Sequence, residues 1–195
     1  MDYSDIIAEV TDRTGVSDVA TRAPMFTAMA EADINRRLRV GAMEKSATVT
    51  TDAVGVVSLP DDFLELRSIT RAGFPMTQIP FVETQFPFFT TAPIQGAGYA
   101  MQGGALVTQL ANTAVRLDYY SSIPPLGSAS TNWLSDANPD VYIAALMKQV
   151  FLAKMDVEKA QAAETVLGSL LHAIGMRDGI ARFKSLAYST DGPTP

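Results

Sequence analysis

The hydrophobic period of this chain changes twice, and that narrows its fold more than any single motif. In the first part apolar residues recur at helical spacing: Ile6, Ile7 and Val10 form one stripe, and Phe26, Met29, Ala30, Ile34 and Leu38 form another. From Thr48 the pattern turns β-branched and short, bounded by turn residues. From Asn138 the helical period returns through Val141–Met155 and then through Val157, Ala160, Ala163, Leu167, Leu170, Leu171 and Ile174. No one of these helices can bury its stripe alone, so helices from the two ends of the chain are expected to pack together. The expected fold class is α+β: a helical bundle built from N- and C-terminal helices with an inserted antiparallel β lobe. Residues 1–44 and 136–182 are assigned to the bundle, 45–135 to the β lobe with its connector, and 183–195 to an extended C-terminal tail.

Local signals place the ends of these elements. Ser4 is expected to cap the first helix and Gly15 to end it. The second helix is expected to start near Ser17 or Thr21, the later start suiting Pro24, and to close at Gly41. Strands are expected at Thr48–Thr50, Val54–Leu59, Phe63–Arg71, a Gly103-Gly104 hairpin and Val115–Tyr120, some five to seven in all. Val115, Leu117 and Tyr119 share one face of the last. Pro75, Pro80, Pro87 and Pro93 break the segment between, which is rich in phenylalanine. A loop so aromatic packs on its own domain or on a neighbour. Asn138 is expected to cap a helix with Pro139 in its first turn, apolar nearly all round and so buried in a bundle or between subunits. Asp156 then caps a last helix running to about Arg177.

Composition excludes several kinds of chemistry. The 195 residues include no cysteine, which rules out disulfides and thiolate sites. No apolar run is long enough to span a membrane, and the acidic start MDYSDIIAEV is unlike a signal peptide. Net charge is −6, the wrong sign for tight DNA binding. The one basic cluster, Arg36, Arg37 and Arg39, lies where a helix C-terminus favours cations. His172 is the only histidine and sits mid-helix among leucines, so it reads as a core-edge or interface residue. Gly168-Ser169 lacks the frame of a nucleophile elbow, and the glycines at 96, 98, 103 and 104 match no phosphate loop. Asp61-Asp62 and Asp136/Asp140 sit where turns and caps already favour aspartate. No catalytic residue, cofactor or metal is expected.

The order of short motifs is more telling than any one of them. Leu59-Pro-Asp-Asp-Phe-Leu-Glu-Leu-Arg-Ser-Ile69 comes first. A glycine hairpin then leads to Leu117-Asp-Tyr-Tyr120 and Ile123-Pro124-Pro125-Leu126. Thr131-Asn-Trp133-Leu and Asn138-Pro139-Asp-Val-Tyr-Ile143 follow, and Ile34-Asn-Arg-Arg-Leu-Arg39 precedes them all. Over residues 20–180 this order resembles the head-to-tail adaptor proteins of short-tailed phages, the tail tubular protein A-like or gatekeeper group. One departure is Tyr142-Ile-Ala-Ala, where that group often has Tyr-Leu-Tyr-Gly.

The resemblance implies a structural virion protein, not an enzyme. It implies a ring of about a dozen copies beneath the portal protein, extending the DNA channel and docking the tail nozzle protein. Viral DNA would pass an acidic lumen without sequence-specific binding, and no membrane is involved. The protein would be made in the host cytoplasm and end in the virion neck. Within that reading, Tyr120, Pro124, Pro125, Trp133, Asn138 and Pro139 form a structural connector that fixes the angle between lobes, with Trp133 anchoring it to the bundle. Phe81, Phe86, Phe88 and Phe89 are the candidate contacts with a neighbouring subunit or the nozzle. Phe183, Leu186 and Tyr188 are the candidate contacts with the portal, in a tail expected to order on its partner. Another neck component (a stopper or nozzle protein) is the alternative, with a small carboxylate-dependent hydrolase behind it.

Overall fold

The computed structural model describes residues 1–84, 97–127 and 129–187. The chain forms two units: Met1–Ala42 together with Ile123–Pro195, and Met43–Ser122. The fold class is α+β, as the change of period implies. The connector after Ser122 falls with the helices, not with the strands.

The helical unit holds α1 (Tyr3–Thr14), α2 (Val19–Arg37), α4 (Trp133–Ala137), α5 (Pro139–Ala153) and α6 (Val157–Ala187), with α3 (Phe81–Thr84) lying in the other unit. The cap of α1 is Asp2, not Ser4. Asp2 accepts from the Asp5 amide at 2.9 Å, and Asp5 reaches back to the Asp2 amide, closing a capping box. Gly15 ends the helix in the left-handed region. The second helix starts after Asp18, so Pro24 lies well inside it. Pro24 and Ala20 are both exposed, so water can serve the carbonyl that the missing N–H leaves open. α2 ends at Leu38, and Gly41 opens a short 3-10 turn instead.

α5 is the centre of this unit. It packs against α1, α2, α4 and α6, and Val141, Tyr142, Leu146 and Val150 are fully or almost fully buried. Its all-round apolar sequence is therefore accounted for inside one chain. Asn138 holds the N-cap position of α5, with Pro139 at N1, but its side chain makes no cap bond. Asn138 Oδ1 instead accepts from Arg177 of α6 at 2.8 Å. α6 continues past the expected end near Arg177, so residues 183–187 are helical where an extended tail was expected.

Among the described residues the β unit holds eight strands in two four-stranded sheets. One is ordered β1 (Glu44–Thr50), β8 (Ala114–Ser121), β3 (Phe63–Arg71), β4 (Phe74–Pro75). The other is β2 (Val56–Val57), β7 (Ala105–Thr108), β6 (Gly98–Gln102), β5 (Thr77–Gln78). Pairing is antiparallel except between β5 and β6, which run parallel. Residues of both sheets, among them Ile69, Leu106, Val115, Leu117 and Tyr119, form one core. β3 contributes Phe63, Leu66 and Ile69, every third residue rather than every second. Two register irregularities, between Phe63 and Glu65 and between Leu66 and Ser68, reset the alternation and turn all three inward. On the opposite face Asp118 accepts from Ser46 at 2.5 Å and from Ser68 at 2.8 Å, tying three strands together. Those bonds, Ser46 first, hold its carboxyl below the usual range.

Candidate functional site

The connector is where the sequence placed its functional weight, and the chemistry of its backbone explains how it is held. Pro124 and Pro125 have no N–H to donate, and both are exposed. The amides beside them find side-chain acceptors on α2. Ile123 N–H donates to Asn35 Oδ1 at 3.0 Å, and Leu126 N–H donates to Glu31 Oε1 at 2.7 Å. Glu31 and Asn35 are one helical turn apart, so one face of α2 receives the whole turn. The Ile123 and Leu126 side chains are buried beside them.

A polar hub closes the other side. Asn132 caps α4, its Oδ1 accepting from Leu134 N–H at 3.1 Å and Ser135 N–H at 2.9 Å. Its Nδ2 donates to the Pro124 carbonyl and to the Tyr142 hydroxyl, both at 2.7 Å. Tyr142 O–H in turn donates to Glu31 Oε1 at 3.1 Å. One asparagine therefore binds the connector, a short helix and the central helix α5. Burial pushes the Tyr142 hydroxyl well up and the Glu31 carboxyl above its usual range, the latter partly offset by the Leu126 amide and the Tyr142 hydroxyl.

A second cluster lies on another face of α2, at Asp33, two residues from both Glu31 and Asn35. Asp33 is buried, and Lys148 of α5 reaches it at 2.7 Å. Lys148 also meets Glu164 of α6 at 2.6 Å, and Arg37 meets Glu164 at 2.6 Å and Asp33 at 3.1 Å. Burial would raise the Asp33 carboxyl, but Lys148, Arg37 and Arg36 together hold it low; Arg37 first and then Lys148 do the same for Glu164. The expected basic patch is thus consumed internally. Arg36 and Arg37 pair with Asp33, and Arg39 donates to the carbonyls of Asn35 and Leu38 at the end of α2.

The model of the SU10 adaptor protein family matches residues 1–189, nearly the whole chain. The chain belongs to the SU10 adaptor protein family. Membership supports a role as a phage head-to-tail adaptor, a structural component at the virion neck. No curated protein matches the chain.

The adaptor's connector residues do not all carry the weight the sequence suggests. Trp133 is half-buried in a groove formed with Val40, Ala42, Ile174 and Arg177. The fully buried anchors are its neighbours, Asn132 and Leu134. Tyr120 is half-buried under the Arg67 guanidinium, 5.3 Å from its ring centroid, in the β unit. Pro139 is half-buried at the start of α5. Phe81 opens α3, where its carbonyl accepts from Thr84 Oγ1. Phe86, Phe88, Phe89 and Tyr188 lie outside the described residues. Phe183 and Leu186 fall on the last turns of α6. His172 is exposed on α6, not at a core edge. Asp62 is engaged by Lys45 and by the Tyr119 hydroxyl. Among the described residues no three metal-binding side chains cluster, and no helix is long and apolar enough to cross a membrane.

Sequence reasoning missed Glu31, Asn35 and Asp33. One signal was available: polar Thr27, Glu31 and Asn35 recur every fourth residue between the apolar positions of α2. Such a polar row beside a core stripe calls for a polar partner, and the Pro-Pro turn supplies it.

Proposed function

We propose that this adaptor assembles as a ring of about a dozen copies beneath the portal, prolongs the DNA channel and presents the docking surface for the tail nozzle. The family match over residues 1–189 carries this reading. The motif order described above supports its closeness to the tail tubular protein A-like group. A net charge of −6 suits a channel wall past which DNA slides without sticking.

In this reading the connector, with Pro124, Pro125, Trp133, Asn138 and Pro139, and with Tyr120 at the end of the preceding strand, is the part that keeps portal-facing and nozzle-facing surfaces in register. Phe81, Phe86, Phe88 and Phe89 meet the nozzle or a neighbouring subunit, and Phe183, Leu186 and Tyr188 meet the portal. The protein is made in the host cytoplasm and is not an enzyme.

Light-scattering mass, measured on the purified chain and then with its phage's portal ring added, tests the proposal. A 20.9 kDa chain that joins the portal in many copies is the expected result. A chain that ignores the portal and binds only the nozzle would move it down the tail. Binding to neither would end the ring proposal.

A further inference from the structure

Two outer helix faces of the helical unit are left without charge. On α2 the exposed residues from Ala20 to Ala32 are Ala20, Thr21, Pro24, Met25, Ala28, Met29 and Ala32. On α6 the exposed positions from Gln161 to Met176 likewise include no Asp, Glu, Lys or Arg. The contrast within the same unit is α1, whose exposed side carries Asp5, Asp12 and Arg13. A solvated helix face normally carries charges, and four turns without one on each of two helices is the pattern of a covered surface.

The spacing on both faces suits another helix. On α2, Thr21, Met25, Ala28 and Ala32 step by four, three and four residues. On α6, Ala162, Val166, Ser169, Ala173, Met176 and Ile180 continue the same steps. This is the heptad seam of knobs-into-holes packing. Val166, Met176 and Ile180 are each about half exposed, at 51%, 54% and 52%, and Met25 at 46%. Large residues on one seam face small ones on the other: Val166 suits Ala28, and Met25 suits Ser169.

We infer that α2 of one subunit packs antiparallel against α6 of the next, so that the occupant of each face is a second copy of this chain. Antiparallel packing sets Arg36, at the C-terminal end of the α2 seam, beside Glu158 of the partner subunit and opposes the two helix dipoles. Because the two faces differ, the contact is head-to-tail and continues from copy to copy until a ring closes. The inference rests on the ring reading above and assigns its surfaces.

The absence of native cysteine makes the test direct. The full-length double variant Ala28→Cys/Ser169→Cys is treated with a bismaleimide spanning about 10 Å, roughly two helical turns, alone at high concentration and on the portal ring. A ladder of covalent multimers is expected from the double variant, dimers and nothing larger from a mixture of the two single variants, and no product from either single variant alone. Dimers from one single variant would mean a two-fold contact and overturn the assignment. Portal capture in many copies without a ladder would overturn these surfaces and leave the ring reading standing. Loss of both ladder and portal capture, with an unchanged melting curve, would overturn both.

Discussion

Asn132 and Tyr142 meet at 2.7 Å in the interior, the asparagine amide donating to the phenol oxygen. The same asparagine caps α4 and holds the Pro124 carbonyl, so a local cap and a long-range tie depend on one side chain. Asn132→Ala is expected to cost about 3 kcal/mol, combining a lost cap of about 1 kcal/mol with buried partners left unsatisfied. Trp133→Ala, at a half-buried site, is expected to cost less, about 1–2 kcal/mol. Urea unfolding of the two variants checks the order; a larger loss at Trp133 would return the anchor to the tryptophan.

Tyr142→Phe keeps the ring in the core and removes only the hydroxyl between Asn132 and Glu31. A loss of about 1–2 kcal/mol is expected. Thermal melting measures it, and a shift within error would show that the hub is held by packing alone.

The Glu31 carboxyl has a folded-state pKa above its unfolded value. Such a group contributes most below the unfolded pKa, and that contribution is lost as pH rises through the folded one. Glu31→Gln keeps an acceptor for Leu126 N–H and does not titrate. Relative to wild type, the variant should therefore gain stability between about pH 4 and about pH 7. Melting points of both proteins across that range give the difference, and a constant gap would mean that Glu31 titrates normally.

Lys148 sits between two carboxylates whose folded-state pKa values are depressed, Asp33 and Glu164. Their stabilisation is present above the unfolded pKa and is lost as pH falls through the folded values. Lys148→Ala should cost about 2 kcal/mol at neutral pH, a figure discounted for partial exposure. The cost should shrink toward about pH 3. Unfolding in urea at both pH values tests this; equal losses would assign the effect to the lysine's alkyl chain.

Two glycines should respond in opposite directions. Gly55 has φ +84°, and a Cβ there would lie 2.2 Å from the Thr108 carbonyl oxygen. Gly55→Ala is expected to destabilise by about 2 kcal/mol or more. Gly175→Ala, in open helix, is expected to stabilise the isolated chain by about 0.5–1 kcal/mol. Differential scanning calorimetry on both variants reads the signs directly.

The sequence by itself determined the longer elements. The return of helical period at Asn138 placed α5 and α6, the β-branched runs placed β3 and β8, and Gly103-Gly104 placed the β6–β7 hairpin. These are local decisions, set by side-chain spacing and backbone freedom. It did not determine where α6 stops, because Arg177 and Gly179 resemble an ending that the helix passes through. Nor did it show which polar residues are structural. Asp33, Glu31 and Asn35 look like surface positions of an amphipathic helix until α5, α6 and the connector arrive from more than 80 residues away, as the Ile123–Asn35 and Leu126–Glu31 bonds show. Burying a carboxylate is unfavourable unless a cation or donor meets it, and only the tertiary structure decides which partner does. For the same reason Trp133, the most conspicuous residue of the connector, is left half-exposed, while the smaller Asn132 satisfies the donors and acceptors that folding removes from water.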